Sequence, residues 1–275
     1  MFPCPYCEIS LTDLRNKDPE ALEIPSQEIE ALTFGHLIKD LNKFEQVHKG
    51  NKSEATFCGS MINPSPLKEN DAIRFLDKCP PDELHLLEGF VNHSFFKGIV
   101  PILGYNPATK WPTNLGIVSK DYHGEVFEGN ACRKLLKTPE HLRDTEVLVE
   151  VDKGFVEPFI SLFQTMDKLV TSCFHAGKIK NDVNIPELIQ SLITDYKMTV
   201  LIVTLKVHII FHHLVPCLLN LGGRGLGLYS CQSMEGNHRE FYQYYWQKYQ
   251  VNSLENENYH TNLFKAVVEF SSKHM

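Results

Sequence analysis

Hydrophobic positions recur at helical intervals along most of the chain. Leu84, Leu87, Val91, Phe95 and Ile99 stand three or four residues apart, which puts them on one face of a helix over about 81–99. Asp82 and Glu83 open that stretch, where the helix dipole and unpaired N–H groups favour negative charge. A second stripe, Phe155, Phe159, Leu162, Phe163, Met166, Leu169 and Val170, predicts a core-forming helix. Pro186 fits a first helical turn, and Leu188, Ile189, Leu192, Ile193, Tyr196 and Val200 lead from it into the apolar run Met198 to Leu221, which reads as a buried helix stopped by Pro216. Shorter patterns predict helices within 26–47, near 130–137 with Arg133 and Lys134 facing outward, and over about 256–272. Strand-like alternation is sparse and confined to pieces such as Glu146 to Val151. The expected class is mainly α with few short strands.

The first 80 residues differ from the rest. Cys4-Pro5-Tyr6-Cys7, Ile24-Pro25-Ser26, Asn63-Pro64-Ser65-Pro66 and Cys79-Pro80-Pro81 interrupt any long element, so 1–80 reads as a small turn-rich module with a linker. Residues 81–227 read as a helical domain and 228–275 as a C-terminal helical segment.

Composition narrows the function classes. With 275 residues, 43% of them hydrophobic, the chain has enough apolar material for a substantial core, which excludes wholesale disorder. A net charge of -7 excludes a molecule that is basic overall and wraps nucleic acid, so any DNA contact has to come from local patches. The run Met198 to Leu221 has the length of a membrane span but contains Lys206, His208, His212, His213 and Pro216, and polar groups of that density disfavour a lipid-facing helix. The opening residues show no charged-then-apolar leader, so an intracellular location is expected, with the eight cysteines serving as thiols and ligands rather than disulfides.

Two features carry metal chemistry. Cys4 and Cys7 have the spacing at which two thiolates on one knuckle reach a single tetrahedral zinc. His208, His212 and His213 cluster in a segment that is otherwise almost wholly apolar. On a straight helix His208 and His212 share a face, whereas His208 and His213 point about 140° apart, so helix geometry by itself prefers His212. The glycines at 222, 223, 225 and 227 lack the Gly-Lys-Ser/Thr ending of a phosphate loop and follow a helix rather than a strand, which leaves a flexible connection as the expectation. Glu235 stands among glycines and aromatics without obvious acidic companions, and Asp144, Glu146 and Asp152 show no paired spacing with it.

Taken in order, the motifs resemble a family. Cys4-x-x-Cys7, Leu84-His85-x-x-x-Gly89-x-Val91-Asn92-x-x-Phe95 and Glu128-Gly129-Asn130-Ala131-Cys132-Arg133-Lys134-Leu135 lead the series. His208-x-x-x-x-His213-x-Val215-Pro216, Gly225-x-Gly227-x-Tyr229-Ser230-x-x-Ser233-x-Glu235-Gly236-Asn237 and the stretch Tyr259 to His274 complete it. The set is similar to the second half of the catalytic core of the recombination-activating endonuclease and its Transib-type transposase relatives. The resemblance implies a ribonuclease-H-like enzyme whose Asp, Asp, Glu triad holds two magnesium or manganese ions, with a large helical insertion stapled by structural zinc. It also implies Cys4, Cys7, His208 and His213 as the zinc ligands, Glu235 as the third carboxylate, DNA as the substrate and the nucleus as the location. The chain departs from the pattern in two respects. The segment supplying both aspartates has no counterpart, and one extra residue, Leu214, precedes Val215-Pro216, which leaves His212 or His213 open as the fourth ligand.

Two functions from different classes follow as expectations: a fragment of a DNA-cleaving and DNA-joining transposase without autonomous catalysis, or a non-enzymatic zinc module that binds DNA or protein. The aromatics Phe241, Tyr245, Trp246 and Tyr249, deprived of the family's central sheet, are expected to promote self-association or to need a partner chain.

Overall fold

The computed structural model describes residues 4–7, 9, 11–14, 31–33, 35, 36, 39, 42, 43, 46, 74–119, 126–144, 153–229, 262, 265, 266, 268 and 269. The chain divides into two compact units, Met1–Tyr229 and Ser230–Met275. In the second unit the described positions are helical.

The larger unit is mainly helical. Its elements in chain order are α1 (Leu11–Leu14), α2 (Phe75–Lys78), α3 (Glu83–His93), α4 (Val100–Leu103), α5 (Tyr105–Asn114), α6 (Gly129–Lys137), α7 (Glu157–Cys173), α8 (Ile185–Met198), α9 (Leu205–His208) and α10 (Leu214–Asn220). Two stretches of π-helix, Ser94–Ile99 and Ile209–His213, join α3 to α4 and α9 to α10 without a break. The few short strands expected from the sequence reduce, among the described residues, to isolated bridges: Cys7 with Ala31, Thr33 with Arg74, and Lys178 with Arg224. The piece Glu146 to Val151 lies outside the described residues, as does most of the helix expected within 26–47.

Helix starts follow capping chemistry. The Asp82 carboxylate accepts from the Leu84 N–H at the head of α3, Asn184 caps α8 through the Glu187 N–H, and Thr204 caps α9 through the Val207 N–H. The core runs through the predicted stripes. Phe90, Val91, Phe95 and Ile99 are fully buried, and Phe95 meets Phe127 edge-on at 4.9 Å and Trp111 at 6.1 Å. Trp111 continues to Phe163 of α7 at 5.8 Å, so one aromatic chain links four segments. Phe155, expected in the α7 stripe, precedes the helix and is 60% exposed.

Several residues of the sequence motifs have structural tasks here. The Asn92 amide donates to the Phe127 carbonyl and its oxygen accepts the Phe127 N–H, so one side chain does the work of a paired strand. A Cβ at Gly89 would meet Lys206 Cδ at 1.9 Å, because the lysine stem of α9 lies across α3 there. On the antiparallel pair α7 and α8, Asp195 accepts from Ser161 and Thr165 at 2.9 and 2.6 Å.

Three expectations fail between 198 and 227. The apolar run is not one helix. The chain leaves α8 at Met198, passes Val200 in a left-handed conformation (φ 57°) and re-enters helix only at Leu205. Pro216 does not stop it either. Proline lacks an N–H and its ring crowds the carbonyl four residues back, but Pro216 stands just past the π turn, within a helical run that continues unbroken from Leu205 to Asn220. The glycine cluster is also more constrained than a flexible connection. Gly222 and Gly223 turn the chain with positive φ, and a Cβ at Gly225 would sit 2.1 Å from the His175 carbonyl oxygen, so this strip packs backbone to backbone on the end of α7.

Candidate metal centre

The amino-terminal residues belong to the core of the larger unit. Cys4, Tyr6, Cys7, Ile9 and Leu14 are buried in the same apolar cluster as α3, α7 and α10. The Leu32 N–H donates to the Tyr6 carbonyl at 2.9 Å, and Asn220, the last residue of α10, donates to Asp77 of α2, which also pairs with Arg74. These contacts bring the cysteine knuckle against the π turn between α9 and α10.

There the structure assembles Cys4, Cys7, His208 and His213, all buried, with one ligand atom from each lying within 4.8 Å of the others. His213 Nε2 lies 3.4 Å from Cys4 Sγ, 3.3 Å from Cys7 Sγ and 3.2 Å from His208 Nε2, and His208 Nε2 lies 3.3 Å from Cys7 Sγ. A zinc ion takes Zn–S bonds of about 2.3 Å and Zn–N bonds of about 2.0–2.1 Å, so the edges of its tetrahedron measure about 3.5 Å from S to N and about 3.3 Å from N to N. These four separations match those edges to within a few tenths of an ångström, and the other two lie within 4.8 Å. Sequence positions more than two hundred residues apart therefore converge as the corners of one small polyhedron.

The local electrostatics explain what such a site needs. Two thiols in contact cannot both ionise in a buried place. Their mutual hydrogen bond and burial push Cys4 well above the usual thiol range, while the same hydrogen bond, aided by His208 and His213, pulls Cys7 far down. A divalent cation removes the conflict, because two thiolates, two neutral imidazoles and the ion sum to zero charge. The backbone prepares the thiolate: the Tyr6 N–H donates to Cys4 Sγ at 3.4 Å, joined by the Cys7 N–H. The Tyr6 ring stands 5.5 Å from the His213 ring, tilted by 59°, and covers it from the knuckle side.

His212, which straight-helix geometry prefers, is not a corner of the cluster. Its ring lies 4.8 Å from that of His208, and burial together with the two neighbouring imidazoles lowers its pKa to about 4. The reason is the π turn. In a π-helix the hydrogen bond closes from residue i to i+5, and the extra residue in the turn carries the fifth residue back toward the face of the first, from which a regular α-helix keeps it about 140° away. Tyr6 and the π turn escape sequence reasoning; the proline three residues beyond His213 is the signal that points to the second.

Glu235, the aromatics Phe241, Tyr245, Trp246 and Tyr249, and the acids Glu146 and Asp152 lie outside the described residues, and Asp144 ends a 3-10 turn, Pro139–Asp144. No helix among the described residues is long and apolar enough to cross a membrane. Comparison with protein-family models, curated proteins and solved structures finds no match for this chain.

Proposed function

We propose that Cys4, Cys7, His208 and His213 bind one zinc ion with a structural role, tying the amino-terminal knuckle to the helical body. The observation that carries this reading is the set of separations of 3.2–3.4 Å among sulfur and nitrogen atoms from four buried residues. The donor set fits zinc: two soft thiolates with two imidazoles favour a tetrahedral ion, and four protein ligands leave no open position for water or substrate. Bound there, zinc supplies cross-linking rather than chemistry. The residues do the rest: the knuckle N–H groups hold the Cys4 thiolate, Tyr6 shields His213, and the π turn aims both imidazoles at one point. Elemental analysis of the purified chain is expected to give one zinc per chain, with Cys4→Ser losing both the metal and thermal stability. A metal-free preparation that is equally stable contradicts the reading.

For the chain as a whole we propose a zinc-stapled helical insertion of a transposase-like DNA recombinase, nuclear and DNA-associated, without strand cleavage of its own. Its support is the ordered series of motifs, of which the cysteine and histidine pairs are two. Two-metal phosphoryl transfer needs several carboxylates, and Glu235 is the single one matched by the motifs. The isolated chain is therefore expected neither to nick nor to join plasmid DNA in magnesium or manganese. Metal-dependent cleavage that disappears in Glu235→Gln overturns that expectation.

A further inference from the structure

We propose that Pro216 is a positioning residue for the metal centre: its ring holds the helix in the π turn that delivers His213, and not His212, to Cys4, Cys7 and His208. The proposal rests on the reading of this cluster as a metal site.

The starting point is a conflict between register and outcome. In an α-helix residues four apart lie about 40° apart around the axis and residues five apart about 140°, so a regular helix through 208–213 presents His208 with His212. His212 is close at hand, its ring 4.8 Å from that of His208, yet the ligand atom that meets both sulfurs belongs to His213. The intervening turn, Ile209–His213, is π-helical, and something must keep it so against the better packing of the α form.

Pro216 stands where it can. A proline ring collides with the carbonyl four residues before it, here that of His212. The peptide joining His212 to His213 has turned accordingly: His213 has φ -114° and ψ -12°, whereas His208, one turn earlier, has φ -57° and ψ -43°. Rotation about φ of His213 swings that carbonyl off the helix axis and widens the turn, as a proline-induced distortion requires.

The other π turn separates cause from consequence. Ser94–Ile99 is also followed by Val-Pro, Val100-Pro101, as Ile209–His213 is followed after Leu214 by Val215-Pro216. Its widened closure is explicit, the Val100 N–H donating to the Phe95 carbonyl five residues back. Phenylalanines surround that turn, not metal-ligand atoms, so the geometry does not depend on an ion. A proline shortly downstream is the shared feature.

The experiment is a cobalt(II) titration of the full chain, read by the thiolate-to-cobalt and d–d absorption bands, on wild type, Pro216→Ala and Pro101→Ala, each alone and with His212→Ala or His213→Ala. Wild type is expected to lose tight binding with His213→Ala and to keep it with His212→Ala. In Pro216→Ala the affinity is expected to fall about ten-fold or more, the range for residues that orient ligands, and the dependence to pass to His212. Pro101→Ala leaves affinity unchanged. A folded Pro216→Ala protein with wild-type affinity and undiminished dependence on His213 overturns the proposal while leaving the metal reading intact. If Pro216→Ala does not fold, backbone chemical shifts of His212 and His213 in metal-free wild type decide: the π geometry is expected to persist, and its conversion to α on metal removal shows that the ion, not the proline, holds the turn. Wild type that takes up no cobalt ends the metal reading, and the same shifts still decide the claim about Pro216.

Discussion

Two helices of the larger unit carry the same backbone irregularity in different surroundings. In the first, α3 runs through Ser94–Ile99 into α4; in the second, α9 runs through Ile209–His213 into α10. Each π turn is mostly buried, and the first is followed directly by Val-Pro and the second by Leu-Val-Pro. The first presents Phe95 to Trp111 and Phe127, with Phe96 stacked on Phe127 at 5.4 Å. The second presents His208 and His213 to two cysteines. The shift of register is thus a general device for turning a chosen side chain by most of a helical step, and what it achieves depends on which side chain it turns. At 94–99 it serves an aromatic core, and at 209–213 it closes a polyhedron of metal-ligand atoms.

That contrast yields expectations of decreasing size. Cys7→Ser removes one corner of the proposed zinc site and leaves a buried, uncompensated set of polar groups. It is expected to abolish stoichiometric zinc and to cost several kcal/mol, well below the apparent 10–16 kcal/mol, roughly, that structural zinc supplies to small finger peptides. Chelator titration followed by thermal melting measures both. Acid has the same effect as the chelator, because protons compete with zinc for two thiolates and two imidazoles, so metal release is expected to grow as pH falls.

Trp111→Ala, in the aromatic region, is expected to cost about 3–5 kcal/mol by leaving a cavity between Phe95 and Phe163, with zinc content unchanged in whatever fraction folds. Loss of zinc from the folded fraction would merge the two regions into one cooperative unit and weaken the contrast. Asn92→Ala strands the Phe127 N–H and leaves its carbonyl only the Cys132 thiol as a donor, and is expected to cost about 1–3 kcal/mol, seen as a lower denaturation midpoint with an unchanged slope. His212→Ala should change least. Stability is expected to shift by less than about 1 kcal/mol with one zinc retained, and loss of the metal would mean that the α register prevails in solution.

Much of the fold can be read from the sequence where one period dominates. The stripes Leu84 to Val91 and Phe159 to Val170 become buried helix faces because nothing in them conflicts with a 3.6-residue repeat, and Phe95 and Ile99 stay buried across the π turn that follows the first. Legibility fails at prolines. Helix α5 gives no clear sequence signal because Pro107 and Pro112 fall within it, yet Pro107 sits in its first turn and the Trp111 beside Pro112 is a centre of the core. Pro216 marks a change of register rather than an end. The site is legible in part for the same reason. The spacing of Cys4 and Cys7 points to their knuckle and the histidine cluster to its segment, but a straight-helix argument selects His212, and the choice of His213 depends on a turn that only tertiary structure displays. Nothing in the local sequence indicates that Tyr6 covers His213, since residues 207 positions apart meet only through the packing of the knuckle on α10.

The central claim, that four side chains from the two ends of the larger unit form one tetrahedral zinc site, is tested most directly by zinc K-edge X-ray absorption on the zinc-loaded full chain. The account predicts a first shell of two sulfurs at about 2.3 Å and two imidazole nitrogens at about 2.0–2.1 Å. In His213→Ala one nitrogen is expected to be lost or replaced by oxygen, and in His212→Ala the shell is expected to be unchanged. A shell without sulfur, or one unaltered by His213→Ala, would contradict it.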